Sequence, residues 1–228
     1  MKYEVAIFDL DGTLIDTIED LGTAVNHSLQ LRSLPLHNME EYKGMVGHGI
    51  RELVTKALPE SLREDGAYVD SALKDFREYY SSHIDVHTRP YDGMVELLEE
   101  LHSAGVCIAV ASNKFQEGTE HLIKEFFPKV DFVAIFGNRE GYPLKPDPAI
   151  VREVLSRSGV SADKAIMVGD SRTDIRTAVA GGIDVIAVSW GFRPKEELSE
   201  ALAELSPSGR LASSVAELLG FLMEGKKK

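Results

Sequence analysis

The sequence Phe8-Asp9-Leu10-Asp11-Gly12-Thr13-Leu14 places two aspartates where a short apolar segment, residues 3–8, comes to an end. That segment is rich in β-branched and aromatic residues, so we expect a buried strand. Side chains alternate along a strand, so Asp9 and Asp11 share a face while the chain stays extended. Ligands of open α/β sheets bind at the carboxyl ends of strands, and a ligand site is therefore expected here.

The two carboxylates would repel each other, so they need a cation, a proton or separate roles. Gly12 and Thr13 turn the chain next and can offer backbone N–H groups to an anion. Asp and Gly are also ordinary turn residues, so a plain turn is the alternative interpretation of this segment alone. The rest of the sequence has to decide between a turn and a site.

The composition is that of an acidic, globular protein. The chain has 228 residues, of which 43% are hydrophobic and 27% charged, enough to bury a core. Its net charge of −12 argues against binding to nucleic acid or anionic lipid. No segment approaches the roughly 18 apolar residues of a membrane span, and the single cysteine, Cys107, excludes an intramolecular disulfide. We expect a cytoplasmic monomer or homodimer without membrane or nucleic-acid partners.

Hydrophobic periodicity divides the chain into two parts. Residues 17–86 carry several helical patterns and no convincing strand. Further on, apolar segments alternate with amphipathic helices, as in a parallel sheet covered on both faces. These predicted strands are 106–111, 131–136, 165–168 and 184–188. We predict an α/β fold: a Rossmann-like parallel sheet of five or six strands in a core of residues 1–16 and 87–228, with a small all-helical cap domain, residues 17–86, inserted after strand 1.

Polar residues stand at or near the ends of three further predicted strands: Ser112 with Asn113, then Lys145, then Asp170 with Asp174. A parallel sheet brings them to one edge, beside the two aspartates of the first strand. Carboxylates suit a hard cation such as Mg²⁺, and lysine, hydroxyl and amide groups suit phosphate oxygens. Each cluster alone could be a turn, a rigid loop or a helix cap. Four clusters at successive strand ends favour a catalytic site.

The motif order Asp-x-Asp-Gly-Thr, Ser-Asn, Lys-Pro-x-Pro and Gly-Asp-x-x-x-Asp resembles the haloacid dehalogenase-like superfamily, in its phosphatase branch with a helical cap. Asp16, Gly47-His48-Gly49, Ser112-Asn113-Lys114 and Gly169-Asp170-Ser171 are most similar to phosphoglycolate phosphatases. The resemblance implies a Mg²⁺-dependent enzyme that hydrolyses a small phosphate monoester, with 2-phosphoglycolate as the first candidate. Pyrophosphatases and sugar-phosphate phosphatases share most of these features and remain alternatives.

The resemblance also implies roles that agree with the chemistry of the carboxylates. Asp9 would attack phosphorus and carry an aspartyl-phosphate. Asp11 would protonate the leaving oxygen and then take a proton from the attacking water. Asp9, the backbone carbonyl of Asp11 and Asp170 would bind Mg²⁺, while Asp174 would ligate it through water or orient Asp170.

The remaining motif residues are assigned to the phosphate group. Lys145 would hold the transferring phosphoryl together with Ser112, and would also offset carboxylate repulsion. Gly12 and Thr13 would add backbone donors, and Asn113 belongs to the same group, where it is expected to orient its neighbours.

Substrate discrimination is assigned to the glycine-rich turn of the predicted cap. Gly47, His48 and Gly49 form a flexible turn that could face the site, and Arg51 could pair with a substrate carboxylate. The alternatives are a surface loop for His48 and a solvated helix face for Arg51.

Three competing functions deserve comparison with a phosphatase. A phosphomutase would use Asp9 and Asp11 in the same way but must keep water from the phosphoenzyme. A dehalogenase has no leaving oxygen to protonate and would leave Asp11 unexplained. A non-enzymatic phospho-receiver switch also has an acidic cluster and a lysine, but it needs neither a general acid nor a helical insert.

Overall fold

The computed structural model describes residues 2–224. Its strands are β1 (Val5–Phe8), β2 (Ile15–Asp16), β3 (Arg89–Pro90), β4 (Cys107–Phe115), β5 (Phe132–Asn138), β6 (Ala165–Gly169), β7 (Asp184–Val188) and β8 (Arg210–Ala212). Its helices are α1 (Ile18–Gln30), α2 (Met39–Met45), α3 (Ile50–Ala57), α4 (Gly66–Tyr80), α5 (Met94–Ser103), α6 (Gln116–Phe126), α7 (Ala149–Ser158), α8 (Arg172–Gly181), α9 (Lys195–Leu205) and α10 (Val215–Leu222). Two 3-10 turns, Glu60–Leu62 and Ala162–Lys164, complete the described elements.

Six strands form a sheet in the order β5-β4-β1-β6-β7-β8, and every neighbouring pair is parallel. The first strand is central because its four apolar residues can be buried on both faces. Ile7 lies opposite Ala109 on one side and Met167 on the other. The predicted α/β fold with a parallel sheet of five or six strands is confirmed. The sixth strand, β8, escaped prediction because its three residues form no buried apolar run.

Helices cover both faces of the sheet, as the alternation of strand and helix requires. Ala6 and Phe8 point into a core that includes side chains of α5, α6 and α10. Val5 and Ile7 point into a second core, shared with α7, α8 and α9. Alternation along a single strand therefore supplies both cores, and the loops after the strands are left at one edge.

The chain between β2 and β3 contains the four helices α1–α4 and no strand among these described residues. The fourth helix buries Val69, Leu73, Phe76 and Tyr80, which lie along one face at helical spacing. It packs on α1 and α3, and the same apolar core continues into the sheet. The helical insertion after the first strand is thus confirmed, while its division from the core at residues 17 and 86 stays a prediction.

A two-stranded antiparallel ribbon joins the insert to the sheet. Ile15 pairs with Pro90 and Asp16 with Arg89. The nearby carboxylate of Asp20, which is buried, accepts the backbone N–H groups of His87 and Thr88. The outgoing and returning segments therefore lie side by side. No described helix combines the length and apolar character needed to cross a membrane.

Candidate active site

Asp9 and Asp11 lie directly after the central strand, as predicted. The N–H of Asp9 continues the strand pairing by donating to Val168 O at 2.9 Å. The chain then turns through Gly12, which has a φ of +82° that favours glycine. Both carboxylates are mostly buried, with 13% and 14% of their side chains exposed.

Lys145 connects the nucleophile candidate to the second acidic pair. Its ammonium lies 2.9 Å from Asp9 Oδ1 and 2.7 Å from Asp174 Oδ1, and its side chain is 2% exposed. Burial alone would lower the pKa of Lys145, but the carboxylates of Asp174 and Asp9 raise it above its usual value. The lysine is therefore a permanent cation between the two carboxylates.

Asp170 and Asp174 follow the fourth predicted strand, observed as β6. Asp170 Oδ2 accepts the backbone N–H of Phe192 at 2.7 Å. Asp174 stands in the first turn of α8, where it forms a capping box with Ser171. Its Oδ2 accepts the Ser171 hydroxyl at 2.6 Å, so both of its oxygens are bound to protein groups.

Two glycines make room for these carboxylates. A Cβ on Gly12 would lie 2.3 Å from Asp170 Oδ2, and a Cβ on Gly169 would lie 2.3 Å from the Asp174 side chain. No side chain fits at either position without displacing a carboxylate. The glycine of each motif is therefore explained by close approach.

The carboxylates are held in a state that resists ionisation. Burial, followed by the charge of Asp174, raises the pKa of Asp9 to about 7, although Lys145 opposes the shift. Burial and the charges of Asp174 and Asp9 raise the pKa of Asp170 to about 8. One lysine does not neutralise three clustered carboxylates, so the cluster favours a further cation.

The donor set fits a hard divalent cation. Asp9, Asp170 and Asp174 each offer an oxygen, and these atoms all lie within 4.8 Å of one another. Oxygen donors of this kind suit Mg²⁺. Asp9 and Asp170 are better placed to bind a metal than Asp174, because both oxygens of Asp174 are already bound by Lys145 and Ser171. The ligand role of the Asp11 carbonyl stays a prediction.

Ser112 and Asn113 lie within β4, which extends to Phe115 instead of ending at residue 111 as predicted. Ser112 Oγ accepts the N–H of Lys114 at 3.2 Å, which leaves its hydroxyl hydrogen for a ligand in the cleft. The Asn113 amide donates to Gly47 O and Lys145 O, and its carbonyl accepts Lys145 N–H. Asn113 is placed to orient two loops, and its contact with phosphate stays a prediction.

The N–H groups of Gly12 and Thr13 are used within the turn itself. Gly12 N–H donates to Ile15 O and Thr13 N–H to Leu10 O. The Thr13 carbonyl also accepts the indole N–H of Trp190 at 3.2 Å. The structure thus gives both residues a role in holding the turn, and their proposed donation to phosphate stays a prediction.

The insert forms the opposite wall of the cleft, and that wall is apolar. It consists of side chains of α1 and α3 and the loop between α2 and α3: Leu21, Val46, Ile50 and Leu53, with Gly47 and Gly49 beside them. His48 is exposed and Arg51 pairs with Asp70 on the surface, 2.5 Å away. Neither residue lines the cleft as it stands, and their contact with substrate stays a prediction.

Two cationic side chains that the sequence analysis did not assign to the site line the cleft. Arg193 follows β7 and donates to the carbonyls of Lys43 and Val46, at the end of α2. Lys114 is buried beside Asp11. The signal for Lys114 was its position directly after Ser112 and Asn113, whereas no motif marks Arg193.

Comparison with known proteins adds a family to this geometry. Residues 6–188 match the model of a family described as haloacid dehalogenase-like hydrolase. A phosphoglycolate phosphatase of Mesorhizobium japonicum is 37% identical over 221 residues, which cover 96% of this chain and 97% of that relative. Phosphoglycolate phosphatase 1 of Pseudomonas aeruginosa is 34% identical over 201 residues, covering 86% and 73%. A crystal structure from Lactobacillus delbrueckii subsp. bulgaricus superposes with a TM-score of 0.88 at 32% identity, covering 97% and 99%.

Proposed function

The chain belongs to the haloacid dehalogenase-like hydrolases, and from this we propose that it is a Mg²⁺-dependent phosphatase acting on a small phosphate monoester. The observation that carries the proposal is the pair Asp9 and Asp11 at the end of the central strand, with Lys145 and the buried Asp170 and Asp174 around Asp9. A nucleophile, an acid and a cation-binding cluster are the parts that phosphoryl transfer through a covalent intermediate needs.

In this proposal Asp9 attacks the phosphorus. The ammonium of Lys145 and the N–H of Leu10 both contact Oδ1. Oδ2 is therefore the oxygen that forms the new bond. As that bond forms, the bond from phosphorus to the leaving oxygen breaks, and an aspartyl-phosphate remains on Asp9.

Asp11 transfers the proton in both halves of the reaction. It first donates a proton to the leaving oxygen, so the product leaves as a neutral alcohol. It then accepts a proton from the water that attacks the phosphorus. Phosphate is released, and Asp9 and Asp11 return to their starting states.

The remaining charged groups hold the phosphoryl group in place. Bound Mg²⁺, held by Asp9, Asp170 and the carbonyl of Asp11 with support from Asp174, would supply positive charge for the phosphoryl oxygens. Lys145 favours the ionised form of Asp9 and adds a second positive charge. Ser112 donates its hydroxyl to a phosphoryl oxygen.

For the substrate, 2-phosphoglycolate is the first candidate. Relatives named phosphoglycolate phosphatase, at up to 37% identity, support it. The lining of the cleft also supports this candidate: a small leaving group would lie between the apolar wall of the insert and the cations Lys114 and Arg193. We further propose that residues 17–86 form the cap that closes over this group, on a core of residues 1–16 and 87–228.

The test is a Mg²⁺-dependent activity screen of the purified protein. The panel contains 2-phosphoglycolate, pyrophosphate, several sugar phosphates and p-nitrophenyl phosphate, with Asp9→Asn as the matched control. We expect hydrolysis that disappears in excess chelator and falls by several orders of magnitude in Asp9→Asn, while the circular dichroism spectrum is unchanged. Hydrolysis by Asp9→Asn near the wild-type rate would refute the assignment of the nucleophile.

A further inference from the structure

Lys114 is a buried cation that the mechanism above does not use. Its side chain is 1% exposed, and its ammonium has two partners from different parts of the chain. It lies 3.2 Å from Asp11 Oδ1, in the turn after the central strand. It also donates to the hydroxyl of Tyr80 at 2.7 Å, at the last residue of α4 in the insert.

The two partners are both needed to keep the ammonium in this place. Burying an ammonium group out of water is unfavourable unless it is paired and hydrogen-bonded. Asp11 supplies the opposite charge, and Tyr80 supplies a neutral oxygen. If the insert moves away from the sheet, Lys114 loses the tyrosine and gains access to water, so solvent weakens its pairing with Asp11.

The hydroxyl of Tyr80 is itself fixed by packing. Its ring stacks on Phe76 with centroids 5.2 Å apart and meets Phe115 edge-on at 6.1 Å. Burial and the nearby charge of Asp11 hold the pKa of the phenol well above its usual value, so the hydroxyl stays neutral and can accept the lysine's hydrogen bond. Tyr80 therefore presents one oxygen at one defined position whenever the insert is in place.

This arrangement gives each of the two motif aspartates its own lysine. Lys145 contacts Asp9, on the side of the nucleophile and the acidic pair. Lys114 contacts Asp11, on the side of the insert. We propose that Lys114 is a positioning residue for the acid–base carboxyl of Asp11, and that Tyr80 makes this positioning depend on the insert being closed on the sheet. The proposal rests on the proposed phosphatase function.

The consequence is a dependence on the leaving group. An alkyl alcohol is a poor leaving group and needs the proton of Asp11, whereas p-nitrophenolate leaves with little help. In the first half of the reaction, a variant that misplaces Asp11 should therefore lose kcat/KM for alkyl phosphates more than for p-nitrophenyl phosphate. Loss of structure or of metal would instead lower both activities together.

The experiment compares kcat and KM for ethyl phosphate and p-nitrophenyl phosphate in wild type, Lys114→Met and Tyr80→Phe, with 2-phosphoglycolate measured alongside. Ethyl phosphate is chosen because its leaving group carries no charge for Lys114 to bind. We expect the ratio of the two kcat/KM values, ethyl over p-nitrophenyl, to fall about tenfold or more in Lys114→Met, with a smaller fall in Tyr80→Phe, because kcat/KM covers only the steps up to departure of the leaving group. Tyr79→Phe is the matched control, since Tyr79 stacks between His27 and His83 and not against Lys114.

Three results would overturn the proposal. The first is an unchanged ratio in both variants, and the second is an equal change in Tyr79→Phe. The third is a loss confined to KM for 2-phosphoglycolate, which would make Lys114 a substrate-binding residue. If Lys114→Met does not fold, Tyr80→Phe decides alone, because it removes a single oxygen. A wild-type protein that hydrolyses no phosphate ester would refute the proposed function, an outcome distinct from an unchanged ratio.

Discussion

Asn113 and Gly47 are joined by a hydrogen bond that crosses from the sheet to the insert, with Asn113 Nδ2 donating to Gly47 O at 3.0 Å. The same amide also holds the loop of Lys145, through Lys145 O at 3.1 Å and Lys145 N–H at 2.9 Å. One side chain thus fixes both the loop of the insert that faces the cleft and the lysine that contacts Asp9.

Asn113→Ala should therefore weaken two functions at once. We expect KM to rise, because the loop carrying Gly47 loses its anchor, and kcat to fall about tenfold or more, because Lys145 loses its backbone support. Steady-state kinetics on the best substrate of the screen measure both effects. Gln30→Ala, at an exposed position of α1, is the control. Unchanged kinetics in Asn113→Ala would show that the crossing bond has no part in turnover.

Substitutions of the two acidic residues after β6, Asp170 and Asp174, should differ in their effects on Mg²⁺ affinity and on stability. Asp170→Ala should weaken apparent Mg²⁺ affinity more than Asp174→Ala, because Asp170 is the less committed carboxylate. Asp174→Ala should lower the melting temperature more, since breaking a buried ion pair costs about 3–5 kcal/mol. Calorimetric Mg²⁺ titration and thermal unfolding give the two rankings. The opposite ranking in the titration would exchange their roles.

The metal-free protein should lose stability as pH rises. The pKa of Asp9 is raised from 3.8 to about 7 and that of Asp170 from 3.8 to about 8. The folded state therefore binds more protons than the unfolded state between pH 3.8 and about 8. The free energy of unfolding then falls with increasing pH across this window. Mg²⁺ needs the ionised carboxylates, so its stabilising effect should grow with pH.

Melting temperatures in chelator and in Mg²⁺, measured across that window, check this prediction. Asp170→Asn is the control, because it removes one of the two raised carboxyls and should flatten the slope of the metal-free protein. A metal-free melting temperature that rises with pH through the window, beyond any change seen in Asp170→Asn, would contradict the expectation.

Measurements of substrate selectivity can decide which residues contact the substrate: those predicted from the sequence, or those that line the cleft in the structure. The sequence predicts that His48→Ala or Arg51→Ala lowers kcat/KM for the preferred substrate more than for p-nitrophenyl phosphate. The structure places Arg193 at the cleft, with its guanidinium on carbonyls of the insert. We expect Arg193→Met to change the ratio of these two constants most. A larger change in Arg51→Ala would restore the sequence interpretation.

The sequence was sufficient to predict the sheet and the placement of most candidate residues at one edge of it, because both depend on local pattern. Buried apolar runs predict the strands, and the rule that parallel strands end at one edge assembles Asp9, Lys145 and Asp170 without further information. The short ribbon of β2 and β3 could not be predicted, since two residues carry no periodicity.

The cleft residues that the sequence did not predict depend on how the insert packs on the sheet. Lys114 follows a motif, but its partner Tyr80 lies 34 positions earlier in a helix whose apolar face predicts only burial. Arg193 contacts carbonyls about 150 positions away in sequence, which no local pattern encodes. Such pairings follow from tertiary packing, and they are among the contacts that join the insert to the sheet.

The ribbon between Asp16 and Arg89 has a consequence for how such proteins can diversify. Because the outgoing and returning segments pair residue against residue, the intervening chain begins and ends at the same two-stranded ribbon. A different insert could be grafted there without altering the distance its ends must span, so loop closure adds little cost. A graft would have to present several acceptors to the host: a carbonyl to Asn113, an oxygen to Lys114 and carbonyls to Arg193. Exchange of the insert could thus change which leaving group the cleft accepts, while the residues around Asp9 stay the same.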